Sequence, residues 1–147
     1  MTLYAESSAV LAWLLGEADA AAIRRRLAAA DAVVTSDLTL VECDRVLTRA
    51  ATLGELSDAA ATVRRAELSS AAAHWTRLRL GPDVIERARR PFPREPVRTL
   101  DALHLASALV ARSAVSQFAV LSLDDTIRAN ARTLGLDVDP PAEDASP

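Results

Sequence analysis

Four acidic residues occupy positions where side chains converge in a parallel α/β protein. Glu6 directly follows the first predicted strand, and Asp124 follows the predicted strand QFAVLS. Glu42 lies in the helix after the second predicted strand, and Asp101 lies in the first turn of a helix that follows a proline-rich loop. Open parallel sheets bind ligands outside the carboxyl ends of their strands, near the point where strand order reverses. We therefore expect the four carboxylates to meet at one edge of a sheet.

Carboxylates that meet in this way repel one another and need protons or a cation. Two of them about 4 Å apart repel by roughly 4 kcal/mol at an effective dielectric constant of about 20. A cluster of this kind must bind protons in part, or hold a divalent cation. Oxygen ligands favour Mg²⁺ or Mn²⁺ over zinc. Such an ion promotes phosphodiester hydrolysis, because it polarises a phosphoryl oxygen and supplies a metal-bound hydroxide.

The elements that must position these acids alternate along the chain. Short β-type runs are separated by long segments rich in alanine and leucine, which predicts strands interleaved with helices over a mainly parallel sheet. We expect strands at residues 2–5, 31–36, 74–80, 117–122 and 136–138. Helices are expected at about residues 7–15, 17–30, 38–53, 58–73, 82–90, 100–114 and 125–134. Predicted helix caps are Ser7 or Ser8, Ser57 and Thr99, and predicted helix stops are Gly16, Gly54 and Gly135.

Length and composition restrict the class of protein. The 147 residues predict a single domain over residues 1–139, followed by a disordered tail over residues 140–147. All 17 basic residues are arginine, which excludes lysine-dependent phosphate loops and Schiff-base chemistry. The net charge of −3 is not that of a general nucleic-acid binder. The lone cysteine, Cys43, and the lack of a membrane span or secretory signal predict a cytoplasmic location.

Four sequence blocks together resemble the PIN-domain family. YAESSAVLAWLLGE resembles the family's opening, in which an acid after the first strand precedes small hydroxyl residues. SDLTLVECDRVLTRA and TLDALHLASAL resemble the segments that carry its second and third acids. VLSLDDTIRANARTLGL is similar to its closing segment with the fourth acid. The blocks occur in the family's order and span residues 2 to 138.

The nearest subgroup is the VapC-type toxins of bacterial toxin–antitoxin pairs. The resemblance implies a three-layer α/β/α sandwich and an endoribonuclease that depends on Mg²⁺ or Mn²⁺. It implies products with a 5′-phosphate and a 3′-hydroxyl, a homodimer, and inhibition by a cognate antitoxin protein. The residues carried over as metal ligands and catalytic acids are Glu6, Glu42, Asp101 and Asp124.

The first acid departs from the family pattern, which usually has aspartate where this chain has Glu6. Glutamate places its carboxylate one methylene farther from the backbone, and Mg²⁺ demands near-ideal octahedral geometry. A second hypothesis follows, in which the chain is an attenuated PIN-like module that binds RNA or a partner without cutting.

Each acid also has a purely structural interpretation. Glu6 and Asp124 could cap helices, and Asp101 could complement a helix dipole. Glu42 could form an ion pair with Arg45 on the same helix. These interpretations remain open at the level of the sequence.

Several further residues are candidates for supporting roles. Asp125 competes with Asp124 as the fourth acid. His104 is interpreted as a hydrogen-bonded packing residue, because leucine and alanine surround it on its helix. Candidates for contacts with the carboxylates, the metal waters or a substrate phosphate are Ser7, Ser122, Arg45 and Arg98.

Overall fold

A five-stranded, fully parallel sheet forms the centre of the molecule in a computed structural model that describes residues 1–142. The strands are β1 (Thr2–Ala5), β2 (Ala32–Ser36), β3 (Thr76–Leu78), β4 (Phe118–Leu121) and β5 (Asp137–Asp139). The helices are α1 (Ser7–Leu14), α2 (Ala20–Ala29), α3 (Asp37–Thr52), α4 (Asp58–Ala72), α5 (Pro82–Ala88), α6 (Thr99–Arg112) and α7 (Asp125–Thr133).

The two faces of the sheet are covered by different helices, because strand side chains alternate in direction. Tyr4 and Val120 point to one face, where they pack with Leu105 of α6 and Ile127 of α7. The opposite face packs against α1 to α4 through the strand residues Leu3, Ala5, Val33, Ala119 and Leu121. The architecture is therefore a three-layer α/β/α sandwich, as the sequence predicted.

Strand order determines where a binding edge forms. The order is β3-β2-β1-β4-β5, so the chain builds outward from β1 in one direction and then returns to its other side. This reversal lies between β1 and β4, which pair in register from Thr2↔Phe118 to Ala5↔Leu121. Residues that follow Ala5 and Leu121 consequently emerge side by side at the edge that binds ligands in such sheets.

Local turn chemistry agrees with the sequence at most helix ends. Gly16, Gly54 and Gly135 have φ angles of 67°, 72° and 79°, a region that glycine adopts without steric cost. Ser57 caps α4, because its hydroxyl accepts a hydrogen bond from the Ala60 amide at 3.0 Å. Cys43 is fully buried and packs in the core with Val10, Leu14 and Leu68.

Three helix starts differ from the prediction. Neither Ser7 nor Ser8 caps α1; Glu6 does, because its extended backbone lets the carboxylate accept from the Ser8 amide at 3.1 Å. Thr99 is already helical, and extended Arg98 precedes it without a side-chain cap. The helix predicted from residue 17 begins at Ala20, since residues 17–19 form a turn first.

The predicted tail is partly held by the body of the protein. The Pro140 carbonyl accepts a hydrogen bond from Arg128 Nη2 at 2.7 Å, so the tail's first residue is anchored. Residues 143–147 of that predicted tail lie outside the described residues. In the described part of the chain, no helix has the length and apolar character needed to cross a membrane.

Truncation of Leu105 should test the α6 side of the core. Leu105 is fully buried, so Leu105→Ala should lower the free energy of unfolding by about 2–5 kcal/mol through lost burial and a residual cavity. Leu100→Ala on the same helix is the matched control, because Leu100 is 46% exposed and such changes usually stay within about 0.5 kcal/mol. Urea unfolding measures both, and equal losses would contradict the assignment of the core.

Candidate active site

Glu6 is a buried carboxylate held by three serine side chains. Ser7 Oγ donates to Glu6 Oε1 at 2.8 Å, and Ser122 Oγ donates to Glu6 Oε2 at 2.8 Å. Ser8 donates to both oxygens, through its amide and its hydroxyl. Since Ser122 directly follows β4 and Glu6 directly follows β1, these bonds join the two strand ends that flank the strand-order reversal. Both oxygens of Glu6 therefore have hydrogen-bond donors.

Glu42 reaches the same cluster from α3. Its Oε1 accepts a hydrogen bond from His104 Nε2 at 2.5 Å, and it lies 3.1 Å from Ser7 Oγ. No ion pair joins Glu42 to Arg45 among the described residues. Glu6 and Glu42 thus share Ser7 as a neighbour, and His104 Nε2 lies 3.8 Å from Glu6 Oε1.

His104 is oriented by Tyr4 on the neighbouring strand. The Tyr4 hydroxyl lies 3.0 Å from His104 Nδ1, and both residues are buried. Burial raises the pKa of Tyr4, so the phenol keeps its proton and can donate to Nδ1. Nε2 then carries the hydrogen that is donated to Glu42. The structure confirms His104 as a hydrogen-bonded packing residue and also places it against an acid of the site.

Asp101 and Asp124 form the open side of the cluster. Both line a cleft of about 510 Å³ with Pro96, Val97 and Arg98. Burial raises the pKa of Asp101, and so do the charges of Asp124, Glu6 and Glu42, while His104 opposes the shift. The other three predicted acids are therefore all near enough to Asp101 to act on its charge.

Some of the other residues predicted from the sequence lie at the acidic cleft, and others lie away from it. Arg98 lines the acidic cleft, whereas exposed Arg45 lines a separate depression on α3. Asp125 is exposed at the start of α7, and Asp124 is the acid that faces Asp101's cleft. Asp124 also caps α7 by accepting from the Ile127 amide at 2.9 Å, so it caps a helix and lines the cleft at the same time.

The donor chemistry of the cleft suits a hard divalent cation. No hydrogen bond to Asp101 is formed by the described residues, and Asp124 and Glu42 each accept through one oxygen only. Among residues 1–142, no three His, Cys, Asp or Glu side chains stand close enough together to hold a metal ion as they are placed. The oxygens therefore fit Mg²⁺ or Mn²⁺ by type, while the side chains do not themselves close a ligand shell.

Sequence reasoning missed two members of the cluster in their actual roles. Ser8 bonds Glu6 and lies 3.3 Å from Ser122 across the strand ends. His104 lies one helical turn after Asp101, and in addition to packing in the core it contacts Glu42. The spacing between Asp101 and His104 was a usable signal, but the partner of His104 lies 62 residues away in sequence.

Comparison with known proteins identifies the family. A family model of the PIN domain matches residues 3–133. The chain belongs to the PIN-domain family. Among curated PIN-domain relatives, Ribonuclease VapC46 of Mycobacterium tuberculosis is 34% identical over 140 residues, which are 95% of this chain and 98% of the relative.

Solved structures of PIN-domain VapC proteins share the fold. The crystal structure of VapC20 from Mycobacterium tuberculosis, described as a toxin that cleaves the sarcin-ricin loop, matches with a TM-score of 0.61 and 19% identity. The match covers 86% of this chain and 93% of VapC20. VapBC2 from Rickettsia felis, bound to a promoter DNA fragment, matches with a TM-score of 0.64 and 7% identity over 95% of this chain and 98% of that one.

The raised pKa of Asp101 predicts a pH-dependent gain in stability for Asp101→Asn. The pKa of the Asp101 carboxyl is higher in the folded protein than in the unfolded chain, so the folded state disfavours the charged form. The free energy of unfolding therefore falls as the pH rises from the pKa of the unfolded chain through that of the folded protein. Asparagine carries no charge, so the variant should be more stable than wild type at pH 7, and the difference should shrink toward pH 4. Urea unfolding in EDTA between these values measures it; a gain that does not change with pH would contradict the repulsion.

Proposed function

We propose that this PIN-domain chain is a metal-dependent endoribonuclease and the toxin of a bacterial toxin–antitoxin pair. The observation that carries the proposal is geometric: Asp101 and Asp124 line one cleft, and Glu6 and Glu42 meet at Ser7 and His104 beside the carboxyl ends of β1 and β4. This is the position at which open parallel sheets bind their ligands. The similarity to Ribonuclease VapC46 over nearly the whole of both chains supports RNA as the substrate.

The acids divide into two roles in this proposal. Asp101 and Asp124 would hold Mg²⁺ or Mn²⁺ from the cleft, with Glu42 and Glu6 completing the negative environment. A bound cation would offset that charge and polarise a phosphoryl oxygen. His104 and Ser7 hold Glu42 in place, so its carboxylate does not need to reorganise when substrate arrives.

The reaction proposed is hydrolysis of an RNA phosphodiester. The oxygen of a water molecule forms a bond to phosphorus, and the bond from phosphorus to the 3′ oxygen breaks on the opposite side. The protons of that water are divided between the leaving 3′ oxygen and the surroundings. The products are a 5′-phosphate and a 3′-hydroxyl. Arg98 lies in the cleft where it could bind the substrate phosphate.

The partners proposed are those expected of a VapC-type toxin. The VapBC2 relative was solved with a promoter DNA fragment. We extend to this chain an antitoxin protein that inhibits it, and a homodimer as its assembly.

Asp101→Asn and Asp124→Asn should each abolish cleavage. Removal of one carboxylate charge should lower the rate by at least about 100-fold, since losing a residue that only supports a metal ligand already costs about 10- to 100-fold. Mn²⁺ titration calorimetry should lose its saturable signal in both variants. Cleavage sites on a mixed-sequence RNA pool, mapped by 5′-end sequencing, measure the activity.

Asp125→Asn is the matched control for that experiment, because Asp125 is the adjacent acid and is exposed outside the cleft. It should retain cleavage and Mn²⁺ binding. Wild-type rates in Asp101→Asn would remove that residue from the mechanism, and a loss in Asp125→Asn alone would transfer the fourth role to Asp125.

Glu6→Asp tests whether the natural chain is an attenuated binding module. The Glu6 carboxylate already accepts from Ser7, Ser8 and Ser122, so we expect the glutamate to be the residue that this site accommodates. The shorter aspartate would not reach all of these donors, so Glu6→Asp should give a cleavage rate at or below that of wild type. An increase of tenfold or more, measured on the same RNA pool, would favour the attenuated module instead.

A further inference from the structure

Positive charge is concentrated in one short segment beside the acidic cleft. Residues 87–98, RARRPFPREPVR, contain five arginines and one acid, and we name this segment the arginine loop. Its net charge is +4, against −7 for the remainder of a chain whose total is −3. A chain that is acidic overall thus carries a local site for polyanions.

The charge of the arginine loop is not neutralised from within. Both oxygens of Glu95, its one acid, accept from backbone amides, those of Phe92 at 3.2 Å and Val97 at 2.9 Å. In the described part of the chain, none of the five arginines forms an ion pair with a carboxylate. Burial and the neighbouring charge of Arg90 lower the pKa of Arg87, as expected where like charges crowd together.

The arginine loop is held rigidly against α7. Asn130 is fully buried, and its Oδ1 accepts from the Arg94 amide at 2.9 Å while its Nδ2 donates to the Arg94 carbonyl at 3.2 Å. The Arg87 guanidinium lies 4.2 Å from the centre of the Phe92 ring. Pro91, Pro93 and Pro96 restrict the backbone further. A rigid segment binds with a smaller loss of conformational entropy than a mobile one.

The arginine loop ends inside the acidic cleft. Pro96, Val97 and Arg98 line the same cavity as Asp101 and Asp124. Arg89, Arg90 and Arg94 precede them on an exposed path. The Arg94 Nε donates to Thr133 Oγ1 at 3.1 Å, near the end of α7. A polyanion bound along the segment from Arg94 to Arg98 would therefore reach the cleft that Asp101 and Asp124 line.

We propose that the arginine loop binds the phosphate backbone of single-stranded RNA and guides it into the acidic cleft. The side chains that contact phosphates are Arg89, Arg90, Arg94 and Arg98. The inference rests on the proposed function, because it names how that site holds its substrate. The acids of the cleft repel both kinds of polyanion, so repulsion does not choose between them. RNA is favoured over an acidic protein segment because the loop leads to the cleft of Asp101 and Asp124, where the proposed function hydrolyses a phosphodiester.

The test compares two pairs of adjacent arginines in the Asp101→Asn background, which prevents cleavage. Arg89→Gln/Arg90→Gln removes two charges from the arginine loop. Arg24→Gln/Arg25→Gln removes two exposed charges from α2 and is the matched control. Fluorescence anisotropy with an oligouridylate of about 20 nucleotides, measured from about 0.05 to 0.5 M salt, gives the affinity and its salt dependence.

The loop pair should lower the salt slope by about 1.4, since each contact with a single-stranded phosphate contributes about 0.7. Affinity at 0.1 M salt should fall by about 25-fold, which is that change in slope taken over one decade of salt. The α2 pair should change neither quantity. An unchanged slope in the loop pair, or an equal decrease in the α2 pair, would overturn the proposal.

Two further arms separate the possible failures. Polyglutamate that competes as well as unlabelled oligouridylate of equal charge would assign the loop to an acidic protein and overturn the proposal. If the wild-type protein cleaves RNA and binds Mn²⁺, and Arg89→Gln/Arg90→Gln with Asp101 intact cleaves RNA at the same rate, this inference alone is refuted. If the wild-type chain neither cleaves RNA nor binds Mn²⁺, the proposed function itself fails.

Discussion

Mutual repulsion between carboxylates is the constraint on which this site depends. The charges of Glu6, Glu42 and Asp124 all act on Asp101, and a fold that brings these acids together must offset their repulsion. Hydroxyls and an imidazole offset it for the two glutamates, which accept from serines and from His104. The aspartates retain free oxygens toward the cleft. Hydrogen bonds therefore offset the negative charge of the two glutamates, whereas the two aspartates present theirs to the cleft.

The sheet makes this division possible. Pairing of β1 with β4 brings Glu6 and Ser122 to the same edge, and their hydrogen bond ties the edge together. Helix α6 carries Asp101 toward the cleft and His104 toward Tyr4 on β1. One helix thus supplies both an acid of the open side and the residue that orients an acid of the buried side. The packing of α6 on the sheet consequently determines where the carboxylates of Asp101 and Glu42 lie.

Charge outside the cluster completes the arrangement. The acids make the cleft strongly negative, which would repel a phosphate backbone, and the arginine loop places positive charge at the mouth of that cleft. Asn130 links the two regions, because it bonds the Arg94 backbone on one side and the Thr126 carbonyl, early in the Asp124-capped helix, on the other. The buried Asn130 side chain therefore fixes the position of the arginine loop relative to the helix that Asp124 caps.

The order of elements, the turns and the family were readable from the chain alone. Ser57 and Gly54 act through neighbours within a few residues, so their local chemistry was sufficient to predict a helix start and a helix stop. The cap of α1 was predicted less sharply, because Ser7 and Ser8 are common cap types and Glu6 was only an alternative to them. The Glu6 carboxylate that forms the cap is also held by Ser122, which is 116 residues away.

Residue types and their order predicted four candidate acids and the alternation of strands and helices, and they carried the resemblance to the PIN-domain family. The position of Asp124 at the cleft, the contact of His104 with Glu42, and the separate position of Arg45 depend on the fold. Residue type and periodicity report local preference, whereas the hydrogen bond between Tyr4 and His104 joins positions 100 residues apart. Such contacts exist only once the sheet has brought the strand ends together.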